Sequence, residues 1–276
     1  MVAVDQYTCN PRGRLPHTKG KEKEHEQYCG GTIFVDYASG YIYASNQISL
    51  NAAETIRSKH DFEREARLCG VEIKRYQGDN GVFWSTEFEA DLKKWGQTIQ
   101  FSGVGGHHQN AVPERAIRTV TESSRTMLLH AAIHWPEEVS MDLWPFAWNY
   151  ALWIWNKLPN VKSRMSPEEN FCRTKQSNHV IREARVWGCP AYVLDPTVQD
   201  GKKLPRWKPK ARRGQFLGMS RRHASTIGLI RNLNTGSVTP QFHLVYDDLF
   251  TTLPSNIDPN QVEPPSNWDN LLMFSR

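Results

Sequence analysis

The chain has 276 residues, 39% hydrophobic and 23% charged, which suits a globular protein with room for one large unit and one smaller one. It contains no apolar run near the roughly 20 residues of a membrane span, and residues 1–10 lack the basic start and apolar stretch of a secretory leader. An intracellular protein with no membrane partner is therefore expected, and its net charge of +5 allows an anionic one.

Residues 2–8 (VAVDQYT) read as a strand with one acid inside it, and 10–27 as a polar loop. Cys9, His17, His25 and Cys29 fall close together but lack the tight pairing of a zinc knuckle, so they read as loop residues. The five cysteines are scattered without a C-x-x-C pair and are expected to be free thiols. Residues 31–38 and 41–48 are aromatic and β-branched, with Ser39-Gly40 between them, which predicts a hairpin. Residues 51–69 predict a helix with Ala53, Ile56, His60, Phe62 and Ala66 on its apolar side and Gly70 ending it. Strand character returns over 71–77.

After Asp79-Asn80-Gly81, Ser85 reads as the N-cap of a helix reaching Trp95, with Glu87 and Glu89 in its first turn. A short strand is expected at 97–101, then a glycine-rich mobile segment at 102–110 (SGVGGHHQN). A long helix follows over about 113–134, with Ile117, Val120, Met127, Leu128 and Ala131 as its stripe and Pro113 suited to its first turn. Residues 144–158 are aromatic nearly all round, as a helix packed on several sides would be. This order predicts an α/β fold, a mixed sheet flanked by helices.

From about 185 the texture changes to short β runs (VWGCPAYVL, RRGQFLGMS, STIGLIRNL, FHLVYDD), which predict a small β-barrel-like domain. Residues 201–246 hold ten Lys and Arg and no Asp or Glu. Such a block favours a polyanion through phosphate contacts and counterion release, although a solvated basic face has the same composition. A Pro-rich acidic tail after Leu253 reads as disordered. The expected division is 1–160 core, 161–184 linker, 185–253 small basic β domain and 254–276 tail.

Three acids stand out. Asp79 directly follows a strand, where an α/β sheet presents side chains to a cleft, although D-N-G is also a tight-turn sequence. Glu114 opens the long helix, where an ion pair with Arg118 or a helix-dipole role would serve equally. Asp5 sits inside a strand, a disfavoured place for Asp. Two acids near strand ends and one at a helix start can converge on Mg²⁺ or Mn²⁺.

The run Gly78-Asp79-Asn80-Gly81, with Ser85, Phe88 and Trp95, resembles the central motif of integrases from copia/Ty-type retrotransposons, members of the retroviral integrase superfamily. His108-Gln109-Asn110-Ala111-Val112-Pro113-Glu114-Arg115 is similar to that family's HxQNGxxER signature. The stretches 34–41, 143–159, 186–190 and 214–218 resemble its second strand, its closing helix and its C-terminal signatures. The resemblance implies an RNase H-like fold and a D,D,E triad of Asp5, Asp79 and Glu114, with Asp36 as a structural or supporting residue. It also implies phosphoryl transfer with two Mg²⁺ or Mn²⁺ ions, which integrates element DNA into a target by 3′-end processing and strand transfer. That chemistry requires no His base, so His107 and His108 read as DNA contacts or loop residues. Arg115 and Arg118 become phosphate contacts, with Lys202, Lys203, Arg206, Lys208, Lys210, Arg212 and Arg213 tracking a DNA backbone. Trp207 among them could pack or stack, and packing is expected. Expected partners are element and target DNA, further copies of the chain and other parts of a Gag-Pol polyprotein, in the nucleus or a virus-like particle. Ala111 stands where the family has Gly and Pro113 stiffens the approach to Glu114, and the family's zinc-binding N-terminal domain is expected to be missing ahead of Asp5, as in a polyprotein fragment or a decayed copy. An inactive DNA-binding remnant is the alternative these departures suggest.

Overall fold

A computed structural model describes residues 1–101, 103, 110–161, 163–175, 179–253 and 272–275. Its first sheet is mixed, in the order β3-β2-β1-β4-β5. Strand β1 (Val2–Gly13) runs antiparallel to β2 (Tyr28–Asp36), which pairs with β3 (Ile42–Gln47) as the expected hairpin. On its other side β1 is parallel to β4 (Arg75–Gly78), itself parallel to β5 (Thr98–Phe101). β1 is longer than predicted and extends into the first residues of what reads as a polar loop. Side chains alternate along it. Val2 and Val4 enter one core, while Ala3, Tyr7 and Cys9 enter the other.

Helices α1 (Ala52–Leu68) and α2 (Thr86–Lys94) cover the first face. Asn51 caps α1 by accepting from the Glu54 N–H at 2.9 Å, and Gly70 follows it at φ +71°. Ser85 caps α2 through the Phe88 N–H at 3.3 Å. The buried side of α1 differs from the apolar one expected: Thr55, Ser58, Lys59, Phe62, Glu63 and Ala66 face inward. Polar residues can do so because Lys59 has its own partners, the buried Glu63 and the half-buried Asp91. The residues expected as a linker include α5 (Pro167–Cys172), whose Phe171 is buried and stacks on Tyr41 at 4.5 Å. Cys69 and Cys172, expected as free thiols, are bonded to each other where the end of α1 meets the end of α5.

The second face carries α3 (Ala111–His134) and α4 (Trp144–Lys157). α4 is apolar all round because it touches α3, β3 and the second sheet together. Its Trp148 is fully buried and stacks on Tyr7 at 4.4 Å.

Beyond a short helix α6 (His179–Arg182), the second sheet comprises β6 (Pro190–Leu194), β7 (Ala211–Met219), β8 (Gly228–Asn232), β9 (Val238–Gln241) and β10 (Leu244–Tyr246). A short helix α7 (Pro196–Gln199) lies between β6 and β7. The sheet order is β10-β6-β7-β8-β9, all antiparallel, and among the described residues its two end strands do not pair with each other. Closure of this sheet into the expected barrel-like domain is thus not confirmed. End strands of four and three residues offer little ladder with which to close it. It does not stand apart, since Ala191, Val193, Phe216 and Ile230 share one hydrophobic core with Leu128, Ala131 and Trp148. A Cβ added to Gly188, at φ +80°, would lie 2.4 Å from the Ala131 Cβ, so glycine permits this close contact.

Of the tail expected to be disordered, the structure describes a strand, β11 (Leu272–Ser275), antiparallel to Tyr7–Asn10 of β1. β4 reaches only Val2 and Ala3, so the edge of β1 beyond it is open to a further strand. No described helix is long and apolar enough to cross a membrane.

Candidate metal centre

Asp5 lies on the central strand, on the face that α3 covers, and is only 1% exposed. Its Oδ1 accepts the Gln6 N–H at 2.8 Å and its Oδ2 accepts from Asn110 Nδ2 at 3.1 Å. Burial, together with the charges of Asp79 and Glu114 and against the Gln6 hydrogen bond, pushes its pKa up to about 8. Asp79 follows the last residue of β4, and the Gly81 N–H donates to its Oδ1 at 3.3 Å. Glu114 is half-buried in the first turn of α3. Three carboxylates distant in sequence thus share one electrostatic neighbourhood.

Asn110 is the residue sequence reasoning missed. It occupies the N-cap position of α3 yet makes no side-chain cap, because its amide turns to Asp5 instead. The residue is 6% exposed, and its Oδ1 is buried without a hydrogen-bond partner among the described residues. An Asn just before a helix reads as an ordinary cap, so only its place in the HQN motif marked it.

Asp36 serves its turn. Its Oδ2 accepts from the Ser39 N–H at 2.9 Å and the Ser39 hydroxyl at 2.7 Å. Arg115 is exposed, with Nε donating to the Ala111 carbonyl at 3.1 Å, and Arg118 is exposed one turn past Glu114. Lys202, Lys203, Arg206, Lys208 and Lys210 are exposed on the loop between β6 and β7. Arg212 and Arg213 lie on β7, Arg212 half-buried and Arg213 5.4 Å from the Trp135 ring centroid. Trp207 overturns the packing expectation at 89% exposure, because the loop carries it away from every core. His107 and His108 lie outside the described residues.

The donors at Asp5, Asp79 and Glu114 are hard oxygens of the kind Mg²⁺ or Mn²⁺ takes. A dication would also relieve the repulsion that burdens Asp5. Among the described residues, however, no three His, Cys, Asp or Glu gather closely enough to hold one ion. The carboxylates fit the cation in chemistry and in charge, without forming a finished coordination shell.

No protein-family model matches the chain. It is 29% identical over 144 residues, half of its length, to the retrovirus-related Pol polyprotein from transposon TNT 1-94 of Nicotiana tabacum. It is 26% identical over 236 residues, 81% of its length, to that from transposon RE1 of Arabidopsis thaliana. The matches cover 10% and 14% of these polyproteins, so the chain spans only a small part of either relative. Among solved structures, the HTLV-2 integrase catalytic core domain in complex with magnesium has a TM-score of 0.42 and 22% identity, over 62% of this chain and 94% of that one. A simian T-cell lymphotropic virus intasome in complex with a PP2A regulatory subunit has a TM-score of 0.44 and 16% identity, over 89% and 77%. The chain is thus similar to a part of the Pol polyproteins of retrovirus-related transposons.

Proposed function

We propose that this chain is a polynucleotidyl transferase of the integrase kind, which processes element DNA 3′ ends and joins them to target DNA. The observation that carries the reading is Asp5, a buried carboxylate on the central strand whose ionisation is opposed by Asp79 and Glu114. Under this reading Asp5, Asp79 and Glu114 hold the Mg²⁺ or Mn²⁺ ions, two during catalysis. When bound, such cations would polarise the phosphate and ease ionisation of the attacking oxygen. Asn110 fixes the orientation of the Asp5 carboxylate through its hydrogen bond. Arg115 and Arg118, exposed on the helix that carries Glu114, bind flanking phosphates. The basic residues from Lys202 to Arg213 grip the DNA backbone without reading sequence. A core over 1–160, a basic unit over 185–253, assembly with further copies and a Gag-Pol origin belong to the same proposal, as does work in the nucleus or a virus-like particle.

The test is joining of a labelled oligonucleotide end to a target duplex with Mg²⁺ or Mn²⁺. Joining should occur with the wild type and disappear in Asp79→Asn. Joining that survives this substitution would overturn the metal-site assignment. A second reading, a DNA-binding remnant without activity, draws on the absence of a gathered ligand set among the described residues and on Ala111 and Pro113. It predicts salt-sensitive DNA binding with no cleavage or joining under either metal.

A further inference from the structure

The loop between β6 and β7 is closed at its base and presented at its tip. Leu194 pairs with Ala211, and the Asp195 N–H donates to the Lys210 carbonyl at 2.8 Å. The two acids of the loop, Asp195 and Asp200, flank the short helix α7, where Asp195 accepts from the Thr197 N–H at 2.8 Å. Beyond them the loop is wholly basic: Lys202, Lys203, Arg206, Lys208 and Lys210, all exposed. At its far end the Lys208 N–H donates to the Pro205 carbonyl at 3.0 Å, making a turn with Arg206 and Trp207 at its centre. Pro205 and Pro209 bracket that turn and restrict its backbone.

Trp207 is 89% exposed at this tip. The Arg206 guanidinium lies 5.9 Å from its ring centroid. A bare indole costs solubility, so its position among cations and away from both cores calls for a ligand with a flat apolar face and negative charge. A nucleobase on its phosphate backbone has both. In a duplex the base faces are already occupied by their neighbours, whereas an unpaired base leaves one free for an aromatic ring.

We infer that Trp207 is a stacking platform for an unpaired base of single-stranded DNA, with the lysines and arginine of its loop holding the adjoining phosphates. This site is separate from the carboxylates and needs no metal. The inference rests on the DNA-acting reading above, yet its readout is binding and not joining.

The experiment measures anisotropy of labelled single-stranded DNA and of a duplex of the same length, with the full chain as wild type, Trp207→Ala and Trp207→Phe. Base stacking on one aromatic ring predicts a loss of roughly 5- to 150-fold in single-strand affinity for Trp207→Ala. The duplex should change by less than about twofold, and Trp207→Phe should keep most of the single-strand affinity. The slope of affinity against salt should stay unchanged, because no charge is removed. A 2-aminopurine in the single strand should be quenched by the wild type and released from quenching in Trp207→Ala. Equal losses on both DNA forms, no loss on either, or an unchanged 2-aminopurine signal would overturn the inference. Joining that persists in Asp79→Asn would instead remove the metal assignment and leave this result standing.

Discussion

Two buried ionisable groups lie on opposite faces of the same sheet, and they are treated in opposite ways. Lys59 is fully buried on the α1 side, with Nζ 3.0 Å from Glu63 and 2.8 Å from Asp91. Glu63 in turn accepts from the Tyr76 hydroxyl at 2.5 Å and from Gln97 Nε2 at 2.7 Å. Burial raises the Asp91 pKa, but Lys59 and His60 outweigh it and hold the carboxyl below its usual range. Asp5, on the α3 side, has one neutral side-chain donor and two like charges for company. A matched charge of this kind holds a fold together, while an unmatched one keeps a place for something that will match it.

The sharpest way to break the contrast is Lys59→Ala, which takes the buried cation from Glu63 and Asp91 and leaves them only the more exposed Arg67 and His60. Removing one partner of a buried pair costs about 3–5 kcal/mol, to be read from urea unfolding. A loss under about 1 kcal/mol would mean that the network is not a matched one.

Asp5 predicts a pH dependence of the opposite sense from that of a paired carboxylate. Its folded pKa is raised from the ordinary carboxylate value of 3.8 to about 8, so between those values the folded chain holds a proton the unfolded chain has released. Its contribution therefore favours folding most at low pH and is lost as pH rises through about 8, with a slope of up to about 1.4 kcal/mol per pH unit. Asp5→Asn should flatten that part of the stability profile. Binding of Mg²⁺ or Mn²⁺ at neutral pH should release close to one proton, and apparent affinity should climb with pH and level off above about 8. Calorimetry in buffers of different ionisation enthalpy checks this, and proton-neutral binding would remove Asp5 from the ligand set. The smallest effect is expected of Asn110→Ala. Losing its hydrogen bond to Asp5 should cost about 0.5–1.5 kcal/mol, and the midpoint of the Asp5 profile should move further up.

What the sequence made legible follows from how local each signal is. The cap at Ser85, the glycine after α1 and the hairpin at Ser39-Gly40 are decided by neighbouring residues, and all lie where they were read. The buried side of α1 was misread because Lys59 and Glu63 become core residues only through Asp91 and Tyr76, which arrive from elsewhere in the chain. The bond between Cys69 and Cys172 spans 103 residues and has no local mark. The acids of the candidate site were picked out by motif, but their mutual influence came from strand pairing: Val2 and Ala3 lie beside Tyr76 and Gln77, which brings Asp5 and Asp79 to the same end of the sheet. Trp207 went wrong for a plain reason, since sequence does not say whether a loop folds back.

Helix α3 starts beside the carboxylates and reaches the second sheet at Ala131, against Gly188. It therefore acts as an indexed shaft of 24 residues, about 36 Å long. One residue added between Glu114 and Ala131 would turn one end against the other by about 100°. Either Glu114 would swing off the cleft or Ala131 would leave its seat on Gly188. The spacing between the acidic end of the molecule and its basic finger can thus change only in near-whole helical turns, which makes the reach between them a discrete quantity.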